Sequence, residues 1–306
     1  MTAVPDSLDT ALSAEWLSSA LQEPFPGLRV DRVLTGPVVD RITTNARFTI
    51  ECAGSAPAGF FPHLCIKGYF NPFGSTIRFV GEPEALFYRD VAASTGVRTL
   101  TALYADVDPD TRHGVVLSED VIARGGRFLD ATSTYAPEQT AASLAQLARL
   151  HARTWMDSRF ADQNWLRPRL GTVLTHWGEA ETLRVIAGNL EGDNGRHLPG
   201  AVRDPQRLVA AYRRLVDAAR AEKTSAPWSL IHGDTHVGNL FLDSAQRPCL
   251  VDWQLVQRGP WYLDVGYHIA STLTVEDRRS HERELLEGYL KQLAGLGIDA
   301  PRPESA

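Results

Sequence analysis

Apolar residues alternate with polar ones in short runs through the first 120 residues. After that they recur at every third or fourth position in longer runs, so a sheet-forming part precedes a helix-forming part. Strand-like runs at 28–34, 46–52, 63–69, 98–104 and 113–117 are separated by Gly, Pro and Asp clusters and predict an antiparallel sheet. Ahead of them, SAEWLSSAL (13–21) predicts a short helix with Ser13 as N-cap and Leu17, Ala20 and Leu21 on one face. Between the strands, GEPEALFYRDVAAS places Glu84, Phe87, Tyr88 and Val91 at i, i+3, i+4 and i+7. Glu84 thus shares the inward face, and a carboxylate there needs a partner.

PEQTAASLAQLARLHARTW (137–155) opens with Pro137 in the first turn and runs Leu144, Leu147, His151 and Trp155 along one stripe, which predicts the central helix of a second lobe. Further helices are expected from Asp204–Pro205 and over 275–294, and 156–203 is the least regular stretch. The fold class expected is α+β, with a sheet-bearing lobe at 1–119 and a mostly helical lobe at 120–306.

With 306 residues and 43% hydrophobic content, the chain has enough apolar material for one large core or two lobes. A formal charge of −6 without any dense Lys/Arg block argues against nucleic acid as a partner. Met1 to Thr10 is polar and acidic, unlike a secretory signal, and no apolar run reaches the roughly 18 residues of a membrane span, so no membrane is expected. Cys52, Cys65 and Cys249 are odd in number, far apart and set in apolar runs; buried thiols in a reducing cytoplasm fit them best. Nothing in the chain points to a protein partner.

LIHGDTHVGNLFL (230–242) sets two histidines, an aspartate, a glycine and an asparagine between apolar ends. Asp234, Asn239 and, after a turn and a second apolar run, Asp252 fall at the ends of a hairpin. That pattern suits phosphoryl transfer, with Asp234 as the base for an attacking hydroxyl and Asn239 and Asp252 as hard oxygen ligands for Mg²⁺. His232 and His236 are expected to shape the loop through backbone hydrogen bonds. Two alternatives are a metal-dependent hydrolase using a His232/Asp234/His236 cluster and a non-catalytic nucleotide-binding module.

HGDTHVGN, LVDWQ and GPWYLDVGY together resemble the aminoglycoside phosphotransferase and choline kinase family, including its ecdysteroid kinase-like branch, small-molecule relatives of the protein kinases. The resemblance spans roughly 13–273 and implies a bilobal protein-kinase-like fold, ATP (or GTP) and Mg²⁺ as cofactors, and a hydroxyl of a small molecule as acceptor. It also implies that Lys67 of CIKGY contacts the nucleotide phosphates with Glu84 as its helix partner, and that backbone from Leu117 to Glu119 meets the adenine. Where protein kinases carry a glycine-rich loop, this chain has TGPVVDRITTNARF, leaving Gly36, Thr43, Thr44 and Asn45 to face the phosphates. Trp253 and Gln254 stand for the Phe and Gly of Asp-Phe-Gly, and no activation segment follows, so constitutive competence is expected. Asp264 is expected to cap the next helix or brace the loop. For the acceptor, Asp157, Asp162, Glu179, Glu181, Glu191 and Asp193 would suit a polycation. Trp155, Trp165, Trp177, Trp261 and Tyr262 would suit choline or a fairly apolar alcohol, the direction in which these aromatics lean.

Overall fold

The computed structural model describes residues 2–167, 172–193, 195–221 and 227–299, without the side chains of 172–177 and 218–221. It divides into two compact units, one made of Met1–Leu166 with Trp228–Ala306 and the other of Arg167–Pro227.

The first unit begins with a single turn, α1 (Leu8–Ala11), and the expected helix, α2 (Ala14–Ala20), whose N-cap Ser13 accepts the Trp16 amide at 3.2 Å. The predicted sheet forms from β1 (Val30–Asp40), β2 (Thr44–Cys52), β3 (His63–Gly68), β4 (Ala102–Val107) and β5 (Gly114–Glu119), all antiparallel in the order β1-β2-β3-β5-β4. Alternation fixes which side chain goes where. Along β2, Thr44, Ala46, Phe48 and Ile50 are buried while Asn45, Arg47 and Thr49 are only partly so. Ala46, Phe48, Ile50, Leu64, Ile66 and Leu117 pack with Trp16 and Leu17 into one core. The intervening residues of the same strands are left for the opposite face.

The helix predicted from GEPEALFYRDVAAS begins as α3 (Glu82–Leu86), passes through a π turn at Phe87–Val91 and ends as α4 (Ala92–Thr95). Glu84, Phe87, Tyr88 and Val91 are all buried, as the spacing requires. The π turn lies one turn beyond Glu84, and such bulges are frequent at functional sites.

The rest of this unit adds β6 (Arg127–Phe128), α5 (Pro137–Arg153), β7 (Ser229–Ile231), β8 (Leu240–Leu242), β9 (Pro248–Leu250), β10 (Gln257–Gly259), α8 (Tyr262–Thr272) and α9 (Val275–Gly295). The small sheets are β6-β8-β9 and β10-β7. Leu144, Leu147 and His151 of α5 are buried as predicted; Trp155 lies past the helix end and packs against the same core. Cys52, Cys65 and Cys249 are free thiols. Among the described residues no helix is long and apolar enough to cross a membrane.

The Arg167–Pro227 unit holds α6 (Thr172–Glu191) and α7 (Pro205–Ala221), which pack on each other. Asp204 caps α7 by accepting the Gln206 and Arg207 amides, as its place before Pro205 suggests. α6 corrects the expectation of irregular chain at 156–203. Gly178 interrupts it with φ +76°, a left-handed geometry that breaks the helical period a reader of the sequence would follow.

The helical core also contains a buried polar layer. His268 of α8 is fully buried, bonded through Nε2 to Ser143 Oγ on α5 and through Nδ1 to the Thr235 carbonyl, both at 2.6 Å. Burial holds its pKa down at about 4. Because this folded value lies below the ordinary 6.5, the unfolded chain takes up the proton first; the stability contribution is full above about pH 6.5 and is lost as pH falls toward 4. Buried His113, also held at about 4, acts in the same sense. His268→Gln is therefore expected to flatten the fall in unfolding free energy between pH 6.5 and 4, by up to about 1.4 kcal/mol per pH unit relative to wild type. Urea titrations at a series of pH values check this; an unchanged slope would contradict it.

Candidate active site

The loop that follows β7 is polar because its backbone is captured from below. Asp264, fully buried in the first turn of α8, accepts the His232 amide at 2.7 Å and the Gly233 amide at 2.9 Å, and its carbonyl accepts the Thr235 hydroxyl at 3.0 Å. His151 Nε2 reaches the same carboxylate at 3.2 Å while its Nδ1 meets the Tyr289 hydroxyl at 2.7 Å. Burial pushes the Asp264 pKa up, but His151 and the loop amides outweigh it and hold the carboxyl below its ordinary range. Asp264 is thus a brace and not a cap. Gly233 has φ +83°, and a Cβ there would lie 2.5 Å from the Leu255 carbonyl, so the turn admits only glycine.

His232 Nε2 donates to the Val251 carbonyl at 2.8 Å and Nδ1 accepts the Asp234 amide at 3.2 Å. With both nitrogens held by backbone, His232 cannot ligate a metal. His236 Nδ1 accepts the Gly238 amide at 3.0 Å. Among the described residues no group of three or more His, Cys, Asp and Glu side chains is placed to hold a metal ion, so His232, Asp234 and His236 do not gather into the expected cluster.

Asn239 turns its Nδ2 onto Asp234, donating to the backbone carbonyl at 2.8 Å and to Oδ2 at 3.0 Å. Its Oδ1 is thereby directed the other way. Asp252 follows β9 in a left-handed conformation, φ +66°, which Asp tolerates better than most side chains. Trp253, fully buried, stacks on Phe87 of the α3–α4 helix at 3.8 Å and donates Nε1 to Thr99 Oγ1 at 3.0 Å. This anchors Asp252 to the helix that carries Glu84.

Lys67 lies between the two carboxylates, 2.6 Å from Glu84 Oε2 and 2.7 Å from Asp252 Oδ1. Burial opposes the ammonium charge, but the paired carboxylates outweigh it and the Lys67 pKa is raised. Burial also raises Glu84, against the pull of Lys67, whereas for Asp252 Lys67 wins over burial and the pKa falls. Glu84, the more buried of the two, also accepts the Trp253 amide. Gln254 bonds the second Asp252 oxygen at 3.3 Å and accepts the Tyr69 hydroxyl at 3.0 Å.

A cavity of about 210 Å³ is lined by Lys67, Glu84, Asn239 and Asp252 together with Thr43 and Glu119. Asp234 does not line it and is joined to it through Asn239. One expectation needs correction. Thr44 turns to the other face of β2, where its hydroxyl donates to Asp40 Oδ1 at 2.5 Å; Asn45 takes the place facing Lys67, its strand partner. The Leu117 side chain faces the α2-covered core, while Ser118 and Glu119 of the same expected stretch line the cavity together with Asp120 and Val121. The Thr44 error is one step along a strand, where each step reverses the face. The Glu119 amide is given to the Thr101 carbonyl and its carboxylate to Arg124. Arg47 and Asp120, paired at 2.8 Å, also line the cavity and were missed; the inward register of Arg47 on β2 was the available signal.

Among solved structures the chain is similar to macrolide 2'-phosphotransferase from Brachybacterium faecium, at 15% identity over 98% of this chain and 87% of that one, with a TM-score of 0.51. It is similar to AMP-bound spectinomycin phosphotransferase at 15% identity over 95% and 84%, TM-score 0.50. It also resembles an aminoglycoside phosphotransferase from Streptomyces rimosus at 15% identity over 88% and 87%, TM-score 0.49. At these identities the likeness is one of fold, the bilobal protein-kinase-like α+β fold. No curated protein sequence matches. Residues 102–303, which contain the β8–β9 hairpin, the Asp264 brace and α5, match the phosphotransferase enzyme family, and the chain belongs to that family.

Proposed function

We propose that this phosphotransferase is ATP- and Mg²⁺-dependent and transfers the γ-phosphoryl group to a hydroxyl of a small molecule. The observation that carries the reading is the convergence of Lys67, Glu84, Asn239 and Asp252 on one cavity, with Asp234 held at its edge by Asn239. In this reading 1–119 form the nucleotide-binding lobe and 120–306 the lobe that carries the catalytic loop. The Asn239 Oδ1 and the Asp252 carboxylate are hard oxygens that fit Mg²⁺, which takes few protein ligands beside phosphate and water. Mg²⁺ supplies, when bound, neutralisation of charge on the phosphate oxygens.

Lys67, oriented by Glu84, holds its ammonium on the phosphates. Asp234 orients the acceptor hydroxyl and takes its proton as the acceptor oxygen bonds to the γ-phosphorus and the bond to the β-phosphate oxygen breaks, leaving ADP. The Asn239 bond to Asp234 Oδ2, together with a hydrogen bond from the Tyr267 hydroxyl, holds the carboxylate in place for the acceptor. ATP is taken over GTP as the donor on the strength of the resemblance alone.

The acceptor is read as an uncharged, fairly apolar alcohol. Of the acids available for a polycation, Asp157 already pairs with Arg159, Glu179 with Arg213, Glu181 with Arg184 and Asp193 with Arg196. A choline cage is not supported either, since Trp155 and Trp165 pack against the core and Trp261 stacks on Tyr289; the Trp177 side chain lies outside the described residues. Exposed Tyr262, Leu263 and Tyr267 on α8 offer an apolar surface, and the Tyr267 ring approaches His236 at 6.5 Å beside Asp234.

ADP release is expected from wild type with Mg-ATP and at least one member of a panel of hydroxyl compounds. Asp234→Asn is expected to lower that rate by about 10²–10⁴-fold while leaving Mg-ATP binding in place. Full activity in the variant would contradict the base assignment. Wild type that binds Mg-ATP and phosphorylates nothing would favour the non-catalytic module.

A further inference from the structure

The turn joining β1 to β2 has little apolar packing of its own. Val38 and Val39 are 47% exposed and Ile42 56%, so side-chain burial does not hold the tip in place. Its backbone is held instead by one side chain from outside the hairpin. Asn71, just past β3 and 9% exposed, points Nδ2 at the Arg41 carbonyl (3.1 Å), the Ile42 carbonyl (3.4 Å), Asp40 Oδ1 (3.1 Å) and Thr44 Oγ1 (3.4 Å). Its Oδ1 accepts the Gly74 amide at 2.6 Å, which fixes the amide plane and leaves Nδ2 directed at the turn. Gly74 completes the seat: a Cβ there would lie 2.8 Å from the Ile42 carbonyl.

The captured turn carries cavity residues. Thr43 lies within it, its hydroxyl accepts Asn45 Nδ2 at 3.2 Å, and both side chains line the cavity, Asn45 directly across the strand pair from Lys67. We propose that Asn71 is a positioning residue for the nucleotide: by holding the backbone of 40–44 it keeps Thr43 and Asn45 against the phosphates before any nucleotide arrives. The assignment rests on the phosphotransferase reading above. It also accounts for a turn that works without the flexible glycines of a protein-kinase phosphate loop, since one buried amide supplies the order that closure over the ligand would otherwise have to create.

Two variants perturb the seat independently. Asn71→Asp keeps the shape and the Gly74 contact but removes every donor, and Gly74→Ala pushes a methyl group at the Ile42 carbonyl. Each is read by calorimetric titration with Mg-ATP, by amide hydrogen exchange over 41–45 in the absence of nucleotide, and by urea unfolding. The expected result is a dissociation constant raised about 10-fold, with exchange at 41–45 accelerated and exchange in β3 unchanged. Lower global stability with an unchanged dissociation constant would show a purely structural role and overturn the assignment. So would unchanged exchange in both variants. Wild type that binds Mg-ATP while both variants bind as tightly overturns this assignment alone; wild type that binds no Mg-ATP overturns the phosphotransferase reading itself.

Discussion

The pairing of one buried lysine with two carboxylates organises this protein. Taking an ammonium and a carboxylate out of water costs several kcal/mol per ion after relaxation, and good geometry on both sides is needed to offset it. Lys67 obtains that geometry from parts far apart in the chain: its own place on the inner face of β3, Glu84 on the buried face of α3, and Asp252 after β9. The left-handed backbone at Asp252, the Trp253–Phe87 stack and the Gln254–Tyr69 bond all serve to keep the third partner in place. A core designed for stability alone would do as well with apolar residues, so this cluster of charge is where a functional site is to be looked for.

A second constraint works on backbone. The loop after β7 satisfies only some of its own amides in so tight a turn; Asp264 accepts the His232 and Gly233 amides while His232 ties the loop to Val251. Asn71 does the same for the β1–β2 turn with the opposite polarity, donating to carbonyls instead of accepting amides. Both rims of the cavity are therefore fixed by buried side chains, and the short path from Asp252 through β10 to α8 leaves little chain to reorder.

How much of this was legible in the sequence follows from how local each interaction is. Strand-forming runs bounded by Gly, Pro and Asp revealed β1 to β5, and period-3.6 spacing put Glu84 on an inward face, because those signals are written within a few residues. Lys67 as its partner needed the resemblance, since a strand lysine alone is ordinary. Thr44 was assigned to the wrong face because alternation tells which residues share a face, not which face is the cavity. α6 was hidden by Gly178. The His151–Asp264 contact and the reach of Asn71 back to Arg41 join positions that no periodicity connects, so only the folded chain reveals them.

The most direct test of the central claim separates the triad's cost from its purpose. Lys67→Met alone leaves Glu84 buried without its cation and is expected to lose about 3–5 kcal/mol of unfolding free energy. Lys67→Met with Glu84→Gln removes the buried unpaired charge and leaves only Asp252, which is 30% exposed and can be hydrated. Urea unfolding of the double variant with and without saturating Mg-ATP is the measurement. The account expects stability near wild type in the absence of nucleotide and none of the stabilisation by Mg-ATP that wild type gains. A double variant as unstable as the single one, or one still stabilised by Mg-ATP to the wild-type extent, would contradict it.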